Sequence, residues 1–128
     1  MTGTIGIDTS FLIDYFKGES SAIEFMREHS GLLRVSELVM FEFLCGRLTE
    51  RQKVFFLQAM QSFPHVGFDA EAAICASDMY RKGKKNGKTV NQPDCLVAGS
   101  YLANGVTSIV TKNSKDFEKI ADIDVLSY

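Results

Sequence analysis

The sequence predicts an α/β domain with a central, mainly parallel sheet of about four to five short strands. Short apolar runs alternate with helical patterns from one end of the chain to the other. The 128 residues, 45% hydrophobic and 23% charged, suffice for a single domain, 1–128, that buries its own core without staples. No internal repeat, linker or low-complexity tract breaks the alternation.

Thr4 to Ile7 is a β-rich run ending at Asp8, after which Ser10 is placed to cap a helix from Phe11 to about Phe16 that Gly18 closes. Ser21 and Glu24 have the spacing of a capping box for a helix reaching about His29. Leu32 to Val35 reads as the second strand, and Ser36 caps a helix running to Gly46. Thr49 and Gln52 form another capping box, followed by a Phe-rich helix to about Ser62. Phe63 to Phe68 reads as a third strand, with Pro64 marking an edge or an entry. Asp69 caps a long helix that decays into the Gly83/Gly87 loop, and Pro93 suits the first turn of a helix ending at Asn104-Gly105. Thr107 to Thr111 is the fourth strand, Ser114 to Ile120 a short helix, and Ile123 to Leu126 the last strand.

Composition excludes several classes. Cys45, Cys75 and Cys95 lie in apolar stretches without a C-x-x-C spacing, which argues against a disulfide framework or a zinc knuckle and predicts small core hydrophobes in a reducing compartment. No segment approaches the roughly 20 apolar residues of a membrane helix, and a cytoplasmic location is expected. Net charge is −2, yet Arg81, Lys82, Lys84, Lys85 and Lys88 place five of the 14 basic residues in one strip, leaving nine against 16 acidic residues elsewhere. Such a strip on an acidic body is either a solvated helix end or the footprint of a bound polyanion.

Four acids interrupt or end apolar patterns: Asp8, Glu42, Asp94 and Asp116. A carboxylate on a core-facing stripe is costly unless paired or bound to a metal, and no buried cation stands at matching spacing. Asp8 and Asp116 follow the first and fourth strands, and ligands of open α/β sheets bind beyond the carboxyl ends of the strands. Glu42 shares a helix stripe with Leu38, Val39, Cys45 and Gly46, and Asp94 one with Val97, Ala98 and Tyr101. Each has a plainer use, as a cap for Asp8 and as first-turn helix acids for Asp94 and Asp116, whereas mid-helix Glu42 has no capping use. Their combination carries the weight. His29 and His65 read as capping or surface residues, and Asp14, Asp69 and Asp78 as helix or surface residues.

In order and spacing, Ile5-Gly-Ile-Asp8-Thr-Ser-Phe-Leu-Ile-Asp14, Ser36-Glu-Leu-Val-Met-Phe-Glu42-Phe-Leu-Cys-Gly46, Pro93-Asp94-Cys-Leu-Val-Ala98 and Ile109-Val-Thr111-Lys-Asn113-Ser-Lys-Asp116-Phe117 resemble the PIN-domain family, particularly its VapC-like ribonuclease toxins of type II toxin–antitoxin modules. The resemblance spans essentially the whole chain. It implies a three-layer α/β/α domain, a divalent-metal-dependent ribonuclease that leaves a 5′-phosphate end, self-association, and a groove for an antitoxin helix or strand that presents an arginine to the acids. Carried over by position, Asp8, Glu42, Asp94 and Asp116 match the acidic quartet, and Asn113 and Thr111 the polar pair near the fourth acid. Gly99 and Ser100 stand where the family more often has alanine, and the Gly83–Lys88 loop is not part of the pattern.

Oxygen ligands without nearby histidine or thiolate suit Mg²⁺ or Mn²⁺. Asp8 and Asp94 are expected to hold the ion most directly, with Glu42 and Asp116 acting through water or on a second ion and Asn113 orienting a ligand or water. Thr9, Ser10, Thr111, Lys84, Lys85, Lys112 and Lys115 are the expected contacts to an RNA substrate, the lysines as point charges on phosphates. Surplus apolar residues, Phe25, Met26, Met40, Phe41, Phe43, Phe55, Phe56 and Met60, mark either a dense core or a homodimer or antitoxin surface. The alternative is a non-catalytic module of the same fold that binds RNA or protein. A phosphoacceptor domain or an Asp-x-Asp phosphatase is disfavoured, because Ile7-Asp8-Thr9-Ser10 lacks the second acid.

Overall fold

Parallel strands covered on both faces need no alternation, so two to four residues with one or two β-branched side chains suffice for each, and the helices between them cover the sheet. In the computed structural model, which describes residues 3–128, this gives β1 (Ile5–Ile7), α1 (Thr9–Phe16), α2 (Ser20–Glu28), β2 (Leu33–Ser36), α3 (Glu37–Leu44), α4 (Glu50–Met60), β3 (His65–Val66), α5 (Ala70–Lys85), α6 (Gln92–Ala103), β4 (Ser108–Val110), α7 (Ser114–Phe117) and β5 (Asp124–Leu126). All pairings are parallel and the strand order is β3-β2-β1-β4-β5. The order reverses between β1 and β4, where Ile7 lies opposite Val110. The expected α/β/α architecture with a five-stranded sheet is what forms.

Three of the expected caps hold: Ser36 accepts from Leu38 N, Thr49 and Gln52 close a full capping box, and Asp69 accepts from Ala72 N. Two do not. Helix α1 starts at Thr9, so Ser10 is already helical and its hydroxyl is free for other partners. Helix α2 starts at Ser20 behind Glu19, which places Ser21 inside the helix, while Glu24 pairs with Arg27 at 2.6 Å. Strand β3 is shorter than Phe63–Phe68, because Phe63 N still bonds Met60 O and Pro64 joins the edge only as an acceptor for Val35 N. Helix α7 ends at Phe117, short of Ile120, in a tight turn from Ile120 N to Phe117 O that sends both side chains into the core.

Tyr101 organises the centre. Fully buried, it donates to Ile7 O and accepts from Ser36 N at 3.0 Å, tying α6 to the ends of β1 and β2. A Cβ at position 6 would lie 2.7 Å from three atoms of its ring, so only glycine fits there. Gly99 is similarly required, since a Cβ would meet Ala76 Cβ at 2.7 Å where α5 packs on α6. Ser100, the other departure from the family pattern, is buried and donates to Ser36 Oγ at 2.9 Å.

Of the surplus apolar residues, Phe25, Phe43, Phe56 and Met60 are core, whereas Phe41 and Phe55 are 66% and 61% exposed. The expectation of three core cysteines holds fully only for Cys95; Cys75 is half-buried, and Cys45, at the C-cap where the chain leaves α3, is exposed. Asp14, expected at a helix or surface position, is buried.

Candidate active site

The loops that leave β1 and β4 carry the hydroxyls and the acid that meet at the switch point. Asp8 is buried directly after β1, and its backbone N–H bonds Val110 O at 3.1 Å. Thr111, directly after β4, donates to Asp8 Oδ2 at 2.7 Å, and Ser10 Oγ donates to the same oxygen at 3.2 Å. The two hydroxyls are 3.3 Å apart and are themselves held by main chain, Ser10 Oγ by Lys112 N at 3.0 Å and Thr111 Oγ1 by Asn113 N at 2.9 Å. Burial pushes the Asp8 pKa up, and the Thr111, Thr9 and Ser10 donors only partly offset it. Asp8 sits at the N-cap position of α1 without a side-chain cap bond, and its Oδ2 takes both hydroxyls.

Glu42, half-buried on α3, accepts from Thr9 Oγ1 at 2.7 Å. Asp94, half-buried in the first turn of α6, is clamped by Asn91, whose amide donates to Asp94 Oδ2 at 2.9 Å and whose Oδ1 accepts from Asp94 N at 2.9 Å. Desolvation raises the Asp94 pKa, the Asn91 amide lowers it, and the fields of Asp8, Asp116 and Glu42 each raise it. One carboxylate therefore feels the other three, although they come from positions across the chain. Asp116 lies 3.9 Å from Lys119 Nζ.

Among the described residues no three His, Cys, Asp or Glu side chains converge tightly enough to encircle an ion by themselves. A closed zinc-type cage is absent from the described residues. A hard ion that keeps several waters and takes one or two direct carboxylates still fits, because every donor in the cluster is oxygen and the mutual repulsion at Asp94 is of the sign a cation relieves.

The other expected contacts divide. Thr9, Ser10 and Thr111 join the acids directly. Asn113 occupies the N-cap position of α7 with no side-chain cap bond, contributing its backbone N–H to Thr111. Lys112 Nζ turns to Asp14 Oδ2 at 3.5 Å and Lys115 is exposed. Lys84 sits 5.5 Å from the Tyr80 ring centroid, and neither it nor Lys85 is bonded to the acids. The histidines have structural uses, His29 stacked on Phe25 with Nδ1 against Phe25 O, His65 with Nε2 against Met60 O. Sequence reasoning missed Asn91, which an Asx residue two before Pro93 signals as a cap, and Lys119 and the Tyr128–Asp14 pair, which have no local signal. Beside Glu42 a groove of about 310 Å³ is lined by Ile13, Phe16, Phe43, Arg47 and Leu48 among others.

A family model described as PIN domain matches residues 5–123. The chain belongs to the PIN-domain family. Ribonuclease VapC1 of Methanocaldococcus jannaschii is 30% identical over 122 residues, 95% of this chain and 85% of that protein. Ribonuclease VapC3 of the same organism is 27% identical over 95 residues, covering 74% of this chain and 95% of the relative. Among solved structures, DNA-bound VapBC from Salmonella typhimurium superposes with a TM-score of 0.85 at 18% identity, and VapBC2 from Rickettsia felis bound to a promoter DNA fragment with 0.84 at 15%, each over 98% of both chains. At these identities the structural matches establish the PIN-domain fold. No helix among the described residues is long and apolar enough to cross a membrane.

Proposed function

We propose that this PIN-domain chain is a divalent-metal-dependent endoribonuclease, the toxin of a toxin–antitoxin pair. The observation that supports it best is the electrostatic coupling of Asp94 to Asp8, Asp116 and Glu42 at the switch point of a parallel sheet. The relatives named ribonuclease VapC point the same way.

In this reading Asp8 and Asp94 hold Mg²⁺ or Mn²⁺ most directly, with Glu42 and Asp116 acting through water. When bound, such an ion polarises a phosphodiester oxygen and lowers the pKa of water. The chain does the rest. Thr111 and Ser10 fix the Asp8 carboxylate, Thr9 fixes Glu42, and Asn91 fixes Asp94, so three acids are aimed before substrate arrives. Asn113, exposed beside Thr111, orients water or a phosphate oxygen. The groove ending at Glu42 accepts an antitoxin segment whose basic side chain pairs with the acids, and the exposed Phe55, packed edge-on against Phe16 of its lining, extends the apolar surface.

The test is incubation with structured and unstructured RNAs, with Mn²⁺ or with chelator, beside Asp94→Asn. Cleavage should require Mn²⁺ and fall at least a hundredfold in the variant. Metal-independent cleavage, or equal cleavage by both proteins, would defeat the proposal.

A further inference from the structure

A cavity of about 290 Å³ opens between the end of α5 and the segment after α7, outside the acidic cluster. Lys82, Lys88 and Lys119 line it together with Asn86, and Met79 and Ile120 give it apolar wall. Asp122 also lines it, so three lysines stand against one aspartate in the lining, with the Lys119 ammonium shared with Asp116 and Lys82 and Lys88 leaving the balance positive. Its shape depends on glycine. At Gly83 a Cβ would stand 2.6 Å from Lys88 O, and Lys88 N bonds Gly83 O at 2.8 Å. Gly87, at φ +71°, makes the left-handed step that folds the loop back and brings Lys88 into the same cavity as Lys82.

Two strands of contact join this cavity to the acids. Lys119 Nζ lies 3.9 Å from Asp116 Oδ1 and donates to Thr89 O at 3.5 Å. From Lys88 the chain runs through Thr89 and Val90 to Asn91, which caps α6 and clamps Asp94. A polyanion whose cut phosphate sits at the carboxylates must lay its next unit on cationic surface, and a lysine cavity touching Asp116 supplies it.

We propose that this cavity is a nucleotide subsite for the RNA strand, holding a phosphate next to the one being cut among Lys82, Lys88 and Lys119 and the attached nucleoside against Met79 and Ile120. Its volume is at the small end of the range for ligand pockets, about 300 Å³, which suits a single small unit of a longer strand. Lysines grip phosphate without reading sequence, whereas the Asn86 amide can donate to and accept from a base edge. This assignment rests on the ribonuclease reading and moves the grip from Lys84 and Lys85, which do not line the cavity.

The decisive experiment measures binding of a fluorescein-labelled oligouridylate across a salt series, in the Asp94→Asn background so that nothing is cut. Replacing Lys82 and Lys88 together by Ala should flatten the plot of log affinity against log salt by about 0.7, the value for one phosphate contact to a single strand. Lys53→Ala on α4 should leave the slope unchanged. In parallel, the wild-type chain is tested for Mn²⁺-dependent cleavage of a mixed RNA pool. Cleavage together with a slope that the double variant does not change more than Lys53→Ala would overturn the subsite alone. No cleavage by the wild type would sink the ribonuclease reading and the subsite with it.

Discussion

Thr111 Oγ1 donates a 2.7 Å hydrogen bond to Asp8 Oδ2 across 103 residues of sequence, joining the ends of β1 and β4 where the strand order reverses. Because Thr111 is buried and itself receives the Asn113 N–H, the direction of its hydroxyl proton is fixed toward the carboxylate. Thr111→Val keeps the shape and removes the donor. The expected result is a further rise in the Asp8 pKa, a loss of roughly 1.5–3 kcal/mol in stability, and Mn²⁺ affinity weakened by about tenfold or more, as for other groups that orient a metal ligand. Denaturant melts and calorimetric titration check both.

Asp94 and Asp8 both have raised pKa values, so the folded state holds their protons more tightly than the unfolded chain does. Their charged forms therefore cost stability above the raised folded values, and the cost fades as pH falls through those values, which lie above the ordinary 3.8. Asp94→Asn should accordingly raise the metal-free Tm at pH 7, and the gain should shrink toward zero as pH falls to about 4. Thermal melts over that range check it; a variant less stable than the wild type at pH 7 would contradict the repulsion.

The Tyr128 hydroxyl donates to Asp14 Oδ2 at 2.6 Å, and this bond, ahead of Lys112, holds the buried Asp14 pKa below 3.8. A lowered carboxylate pKa contributes stability that is fully present above the unfolded value and is lost as pH falls through the folded one. Tyr128→Phe should cost roughly 1.5–3 kcal/mol at pH 7, and the difference from the wild type should close below pH 3.8. Urea titrations at several pH values measure it.

Tyr101→Phe leaves the Ser36 N–H and the Ile7 carbonyl without their shared partner inside the core. A loss of roughly 1–3 kcal/mol follows for the unsatisfied groups. Gly6→Ala should do comparable damage by a different route, since its methyl would meet a ring held at its hydroxyl end. Chemical denaturation of both variants tests the pair.

The strands and most helices were legible because apolar runs of three to five residues between turn signals are what a parallel sheet requires, and Ser36, Thr49 and Asp69 cap as their spacing indicates. Ser10 and Ser21 misled because a Ser inside the first turn looks the same in sequence as one just before it. The acids were legible because Glu42 on an apolar stripe has no local use. What supports them was less so: Asn91 carried a cap signature, but Tyr128 reaches Asp14 across 114 residues, and Lys119 is a lone lysine beyond a four-residue helix. Lys84 and Lys85 drew attention through charge density alone, whereas which lysines line a cavity depends on the backbone turn at Gly87.

Whether a divalent ion relieves the repulsion among these carboxylates is tested most directly by calorimetric titration of Mn²⁺ into the wild-type chain and into Asp8→Asn. The wild type should bind with a measurable heat and the variant at least tenfold more weakly. Equal affinity in the two proteins, or no binding to either at millimolar Mn²⁺, would contradict the account.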